Sequence, residues 1–99
     1  MYPAVEVMIT SAQRLSLFPV YPNPFSGSAT VRYYIPEATV YTLRLVDMLG
    51  REVKLLSRGY GEKGLRTAAL NGTGLSAGTY LLRLETPERF VTQVVVLVP

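Results

Sequence analysis

Ninety-nine residues carrying ten Lys+Arg against seven Asp+Glu, a net charge of +3 and 48% hydrophobic residues fit one small domain with ample core material and exclude a disordered tail. The chain contains neither Cys nor His, which removes disulfides, thiolate and imidazole metal sites, and every catalytic arrangement built on a thiol or an imidazole. Its cations are interspersed along the chain, with Arg32, Arg44 and Arg83 each between apolar neighbours as on solvated strand faces, and they form no stripe of the kind that binds nucleic acid.

Residues 1–14 show no clear period and read as a linker or a remnant of a longer parent chain. They do not make a signal peptide, because a basic start is missing and Pro3 and Glu6 interrupt the apolar stretch. No segment approaches the ~20 apolar residues that a membrane-spanning helix needs. The domain proper is expected over residues 15–99.

From Leu15 the pattern changes to short runs of period two, broken by turn residues. Leu15 to Tyr21 is expected as a first strand, closed by Pro22, Asn23 and Pro24, since proline donates no ladder hydrogen bond and favours an edge or corner. Thr30 to Ile35 places Val31, Tyr33 and Ile35 on one face. Val40 to Val46 places Tyr41, Leu43 and Leu45 inward, with Thr42, Arg44 and Val46 outward. Asp47 to Gly50 is a turn in which Gly50 is free to take positive φ.

Glu52 to Ser57 follows, with Val53 and Leu55 expected inward, and Gly59, Gly61 and Gly64 bracket a hairpin loop. Gly64 to Leu70 directs Ala68 and Leu70 inward. Asn71 to Gly74 is the strongest turn signal, and it also explains the Asn71-Gly72-Thr73 glycosylation triplet without a sugar. Gly78 to Glu85 turns Tyr80, Leu82 and Leu84 inward, Thr86 to Glu88 turns the chain again, and Phe90 to Val98 is the last strand. Seven short strands with turns every eight to twelve residues imply an all-β, Ig-like or fibronectin-like antiparallel β-sandwich, with a small barrel as the competing architecture. Tyr80, placed just after a Gly-containing corner, has the setting of a tyrosine corner.

Catalytic residues are not found. Lys54 and Lys63 read as solvated. The acid pairs Glu85/Glu88 and Asp47/Glu52 flank turns and lack the oxygen density of a Ca²⁺ site or the cleft of a glycosidase. The glycine clusters precede no helix and make no phosphate loop. No cofactor and no metal are expected. Tyr34 and Tyr60 are candidate exposed aromatics for a glycan platform.

Four motifs then appear in order: Tyr21-Pro22-Asn23-Pro24-Phe25; Leu43 to Val53, with Leu49-Gly50-Arg51 at its turn; Leu75 to Tyr80, with Gly78 and Tyr80; and the closing apolar strand. Together they resemble the type A C-terminal sorting domains of the type IX secretion system. The resemblance implies a non-catalytic sorting signal, fused behind an N-terminal cargo and recognised by the outer-membrane translocon. It further implies removal by a sortase-like peptidase upstream of Leu15. The cargo would reach the medium or the cell surface through the periplasm and outer membrane, and a sorting domain would end its reading frame.

Recognition by the translocon is expected on Thr92, Gln93, Val94, Val95, Val96, Leu97 and Val98, because a terminal strand is readily presented by edge pairing. Val94, Val96 and Val98 face one way, Val91, Val95 and Leu97 the other. Such a two-faced apolar strand needs cover on both sides, from the sandwich on one and from a partner or the mate in a homodimer on the other. The sequence departs from the family pattern where Gln93, Val94 and Pro99 stand in place of basic residues. The alternative reading is an Ig-like accessory module for cell-surface anchoring or polysaccharide binding. A third is a scaffold module like the hook-capping Ig-like fold.

Overall fold

A computed structural model describes residues 14–99. Seven antiparallel-paired strands follow in chain order: β1 (Ser16–Leu17), β2 (Ser28–Ile35), β3 (Thr39–Val46), β4 (Glu52–Gly61), β5 (Gly64–Asn71), β6 (Gly78–Glu85) and β7 (Phe90–Leu97). They form two sheets, β1-β2-β5 and β4-β3-β6-β7. This is the expected sandwich.

Alternation decides which faces meet. Val31, Tyr33 and Ile35 of β2, Tyr41, Leu43 and Leu45 of β3, and Tyr80, Leu82 and Leu84 of β6 are all buried in one cluster with Leu70, Val95 and Leu97. Burial at every second position on strands from both sheets is what closes the core. The hydroxyl of Tyr80 donates to the Ser76 carbonyl four residues upstream, the bond of a tyrosine corner.

Five expectations are corrected. The first strand is only Ser16–Leu17; after the Phe18 N–H bond to the Arg32 carbonyl the chain leaves β2, touching it again where Tyr21 bridges Thr30. Pro19, Pro22 and Pro24 cannot donate to a ladder, so a continuous strand is barred there.

In β4 the inward residues are Val53 and Leu56, while Leu55 is exposed. The register slips between Leu43 and Arg44, and again between Leu45 and Val46. Each slip inserts an extra residue, and every slip flips the face that follows.

Gly59 to Gly64 is not a hairpin loop, because β4 and β5 belong to different sheets; the chain crosses the sandwich there. Lys54 is likewise not a freely solvated group. It is half-buried, and its Nζ donates to the Asn71 carbonyl at 2.7 Å. On the neighbouring edge, Arg66 is half-buried too, and donates to the Glu62 carbonyl at 2.8 Å. An inward-pointing cation on each of the adjacent edge strands β4 and β5 keeps both from pairing with other chains.

Val46, expected outward, is buried outside the core cluster.

Gly72 sits where an added side chain would force its neighbours to shift. A Cβ there would stand 2.9 Å from Leu97 and 3.2 Å from the Gly27 carbonyl. The close approach lets Gly72 N–H donate to Gly27 at 2.8 Å and ties the β5–β6 turn to the start of β2.

Candidate functional site

The segment Phe18–Phe25 is a strap laid along the outer edge of β7. Val20 N–H donates to Gln93 Oε1 at 2.7 Å, and Gln93 Nε2 donates to the Phe18 carbonyl at 2.9 Å. Asn23 Nδ2 donates to the Val94 carbonyl, and Val96 N–H donates to Asn23 Oδ1, both at 3.0 Å. Phe25 finishes the seam with its backbone: its N–H donates to Val96 at 2.9 Å, and Val98 N–H donates to its carbonyl at 2.8 Å. The strap and β7 run parallel.

Two side chains fix the strap in the core. Val20 is 4% exposed and Phe25 1%. Between them Tyr21, Pro22, Asn23 and Pro24 arch over the surface, with Tyr21 78% exposed. The proline positions thus serve where no N–H is needed, and the one residue between them, Asn23, supplies a donor and an acceptor that mimic a missing strand residue.

The outer edge of β7 is therefore closed by the chain itself from Gln93 to Val98. This corrects the expectation that the terminal strand offers its edge for pairing over those residues. Its outward face remains uncovered. Val94 is 52% exposed and Val98 39%, and Val96 is half-buried, whereas Val95 and Leu97 are buried in the core. Thr92 is exposed and Gln93 half-buried.

The register places Val46 beside Leu81 and Leu81 beside Val94 on this outer face. One step further from the strap end lies a charged row. Glu85 Oε1 meets Arg44 Nη2 at 2.8 Å and Arg83 Nε at 3.3 Å, and Arg44 Nη1 meets Glu52 at 3.5 Å. The Arg83 guanidinium lies 3.8 Å from the centre of the exposed Phe90 ring, a cation–π contact. An apolar stripe thus adjoins a self-neutralised ionic band.

The remaining motif residues gather at the same end of the sandwich as Leu97. Gly78 pairs with Leu97, and Tyr80 with Val95. Leu49, Gly50 and Arg51 form the β3–β4 tip, whose shape comes from Asp47. Its Oδ1 accepts from Leu49 and Arg51 N–H at 2.9 Å each, and its Oδ2 holds Arg51 Nε at 2.8 Å. The Arg51 N–H foremost, with its guanidinium and the Leu49 N–H, holds the Asp47 carboxyl below the usual carboxylate range. Gly50 takes φ +88°, which a Cβ would disfavour. The turn leaves Leu49 79% and Met48 62% exposed.

A recess of about 400 Å³ at the opposite end is lined by Leu15, Pro36–Thr39 and Thr86–Arg89, with no nucleophile–base pair among them. Among the described residues no cluster of three metal-ligating side chains occurs. Tyr60 is exposed, and Tyr34 half-buried on the other sheet, so these two aromatics do not form one platform.

A model of the secretion system C-terminal sorting domain matches residues 19–98. The chain belongs to this type IX sorting family. The match begins in the strap and ends in the edge it closes, so it takes in the seam from residue 19 onward and every strand but β1. A type IX sorting domain implies a secreted or cell-surface protein that passes the outer membrane, with a cargo on the N-terminal side. The family is not known for catalysis. No curated protein sequence matches the chain.

Sequence reasoning brought Tyr21–Phe25 and Thr92–Val98 forward as separate signals, and the fold joins them in one seam. It missed that Gln93 is a strap clamp. The signal was present: Gln93 shares the inward phase of Val91, Val95 and Leu97, and a polar side chain in that phase on an edge strand needs a partner.

Proposed function

We propose that this sorting domain is a non-catalytic address read through the outward face of β7 and the β3–β4 tip, not through a free strand edge. The observation that carries the reading is the seam: it occupies the edge of β7 while leaving Val94, beside Leu81, and Val98 exposed. A partner at the outer membrane then engages side chains of a folded domain. Apolar stripe and exposed tip, rimmed by the Arg44–Glu85–Arg83 band, have the layout of a small interface with an apolar centre and a polar rim. Gly78 and Tyr80 hold the corner that positions this end.

The fused cargo is carried across the outer membrane by the type IX translocon and is released or attached at the surface. A sortase-like peptidase cuts upstream of Leu15, in the segment that precedes the sandwich. A homodimer through the terminal strand would have to use the same outward face, since the edge is taken over Gln93–Val98.

Site-specific photo-crosslinking tests this reading. A photoreactive residue at position 94 of the full chain, expressed behind a periplasmic reporter in a type IX-competent bacterium, is expected to join an outer-membrane translocon protein. The same residue at position 67, on the opposite sheet, is expected not to. Crosslinks from 67 and none from 94 would overturn the assignment of the face.

A further inference from the structure

The seam has a mechanical consequence that does not depend on the sorting role. We propose that the strap and β7 form a shear clamp that keeps the domain folded when its two ends are pulled apart. Partners along the seam advance in the same direction on both sides: Phe18 and Val20 with Gln93, Asn23 with Val94 and Val96, Phe25 with Val96 and Val98. The two segments are therefore parallel. The upstream chain leaves the strap at its Phe18 end, and the chain end leaves β7 at the Val98 end.

These exits lie at opposite ends of the sandwich. Leu15 lies with the 36–39 and 86–89 turns, and Pro99 lies with Gly27 and residues 72–77. A pull between the two ends acts along the strands, so that strap and β7 slide past one another in shear. All six seam hydrogen bonds and the buried Val20 and Phe25 side chains then resist together. A pull across a hairpin loads its bonds one after another. The strap is held on its other side as well, by Phe18 N–H donating to Arg32 at 2.9 Å and by the mutual Tyr21–Thr30 bonds at 2.8 and 3.2 Å. It cannot yield by swinging away from the body alone.

Anything that grips the chain end while a bulky N-terminal partner lags behind would load this seam. Four of its six bonds run through the side chains of Asn23 and Gln93, so these two residues set its strength.

Single-molecule force spectroscopy on the full 99-residue chain decides the matter. The first geometry pulls through the chain's two ends. The second pulls between a Cys in an Ala77→Cys variant and the C-terminus, where Gly78 and Leu97 face each other and β7 peels off β6. The clamp predicts an end-to-end unfolding force several-fold above the peeling force. In Asn23→Ala/Gln93→Ala, with native circular dichroism verified, the end-to-end force is expected to fall toward the peeling value. Equal forces in the two geometries would overturn the proposal, as would an end-to-end force unchanged in the double variant. Should the double variant not fold, Asn23→Ala alone is pulled, and the two-geometry comparison of the unaltered chain decides in any case.

Discussion

Asn23 and Val96 stand 73 positions apart, yet the Val96 N–H donates to Asn23 Oδ1 while Asn23 Nδ2 donates to the Val94 carbonyl. One amide side chain thus does for β7 what a neighbouring strand residue would do. The N-terminal motif and the C-terminal strand of the sorting domain are one structural unit, and this follows from a short polar residue placed between two prolines.

Asn23→Ala removes both bonds. Each is solvent-accessible, so water replaces part of what is lost. The expected destabilisation is about 1–2 kcal/mol, read as a lower denaturation midpoint with an unchanged m-value. Asn23→Asp keeps the acceptor for Val96 but sets a carboxylate against the Val94 carbonyl, and should be no better than alanine. An unaltered midpoint for both variants would mean that Phe25 and Gln93 alone hold the strap.

Tyr80→Phe deletes the hydroxyl that donates to Ser76 and leaves the ring in the core. A loss of about 1 kcal/mol is expected, with the near-ultraviolet circular dichroism of the remaining fold retained. A loss as large as that of a core truncation, roughly 3–5 kcal/mol, would show that the corner organises far more than one turn.

Alkaline pH should weaken the fold through Tyr33. Its ring is buried, and its hydroxyl donates to Tyr41 at 3.4 Å, while Tyr41 and Ser57 hydroxyls share a bond of 2.8 Å. Burial first, and the Tyr41 hydroxyl second, push the Tyr33 phenol from 10.0 up to about 12. Tyr41 is displaced the other way: burial raises it, but Ser57, Tyr33 and Arg66 together outweigh that and lower it. For Tyr33 the folded state holds the proton more tightly than the unfolded chain. Its contribution is therefore complete below pH 10 and is lost as pH rises toward 12, offset in part by the opposing Tyr41 displacement. Denaturation midpoints measured across this range, with tyrosinate absorbance as the titration signal, should fall in the unaltered chain and fall less in Tyr33→Phe.

Val94→Thr changes a half-exposed methyl to a hydroxyl on the outward face without altering strand shape. Stability should stay within about 0.5 kcal/mol. Export of a fused reporter should drop, because the stripe loses apolar area at its most exposed point. Full export with this variant, and with Val98→Thr added, would remove the stripe from the recognition surface.

Much of the sandwich was legible because alternation and turn chemistry agree. Val31, Tyr33 and Ile35 in β2, and Tyr80, Leu82 and Leu84 in β6, face inward as period two requires, and Gly50 and Asn71 mark the turns where they stand. What failed has a common cause. In β4 two bulges reset the phase, and neither Leu55 nor Leu56 carries a local mark of which will turn inward; the partner strand decides. The crossing at Gly61–Gly64 depends on which sheet claims β5, a long-range choice that a glycine-rich connection leaves open. The strap was hidden for another reason. Tyr21–Phe25 reads locally as a turn, and only the distant pairing of Asn23 and Gln93 with the opposite ends of the chain reveals it as an edge cover.

The role of the domain is tested most directly by export of a reporter. The full chain is fused behind a periplasmic fluorescent protein and expressed in two hosts, one type IX-competent and one lacking the translocon. The account predicts reporter at the surface or in the medium of the first host only, with export depending on the folded domain. Reporter retained in the periplasm of the competent host, with the domain intact and folded, would contradict it.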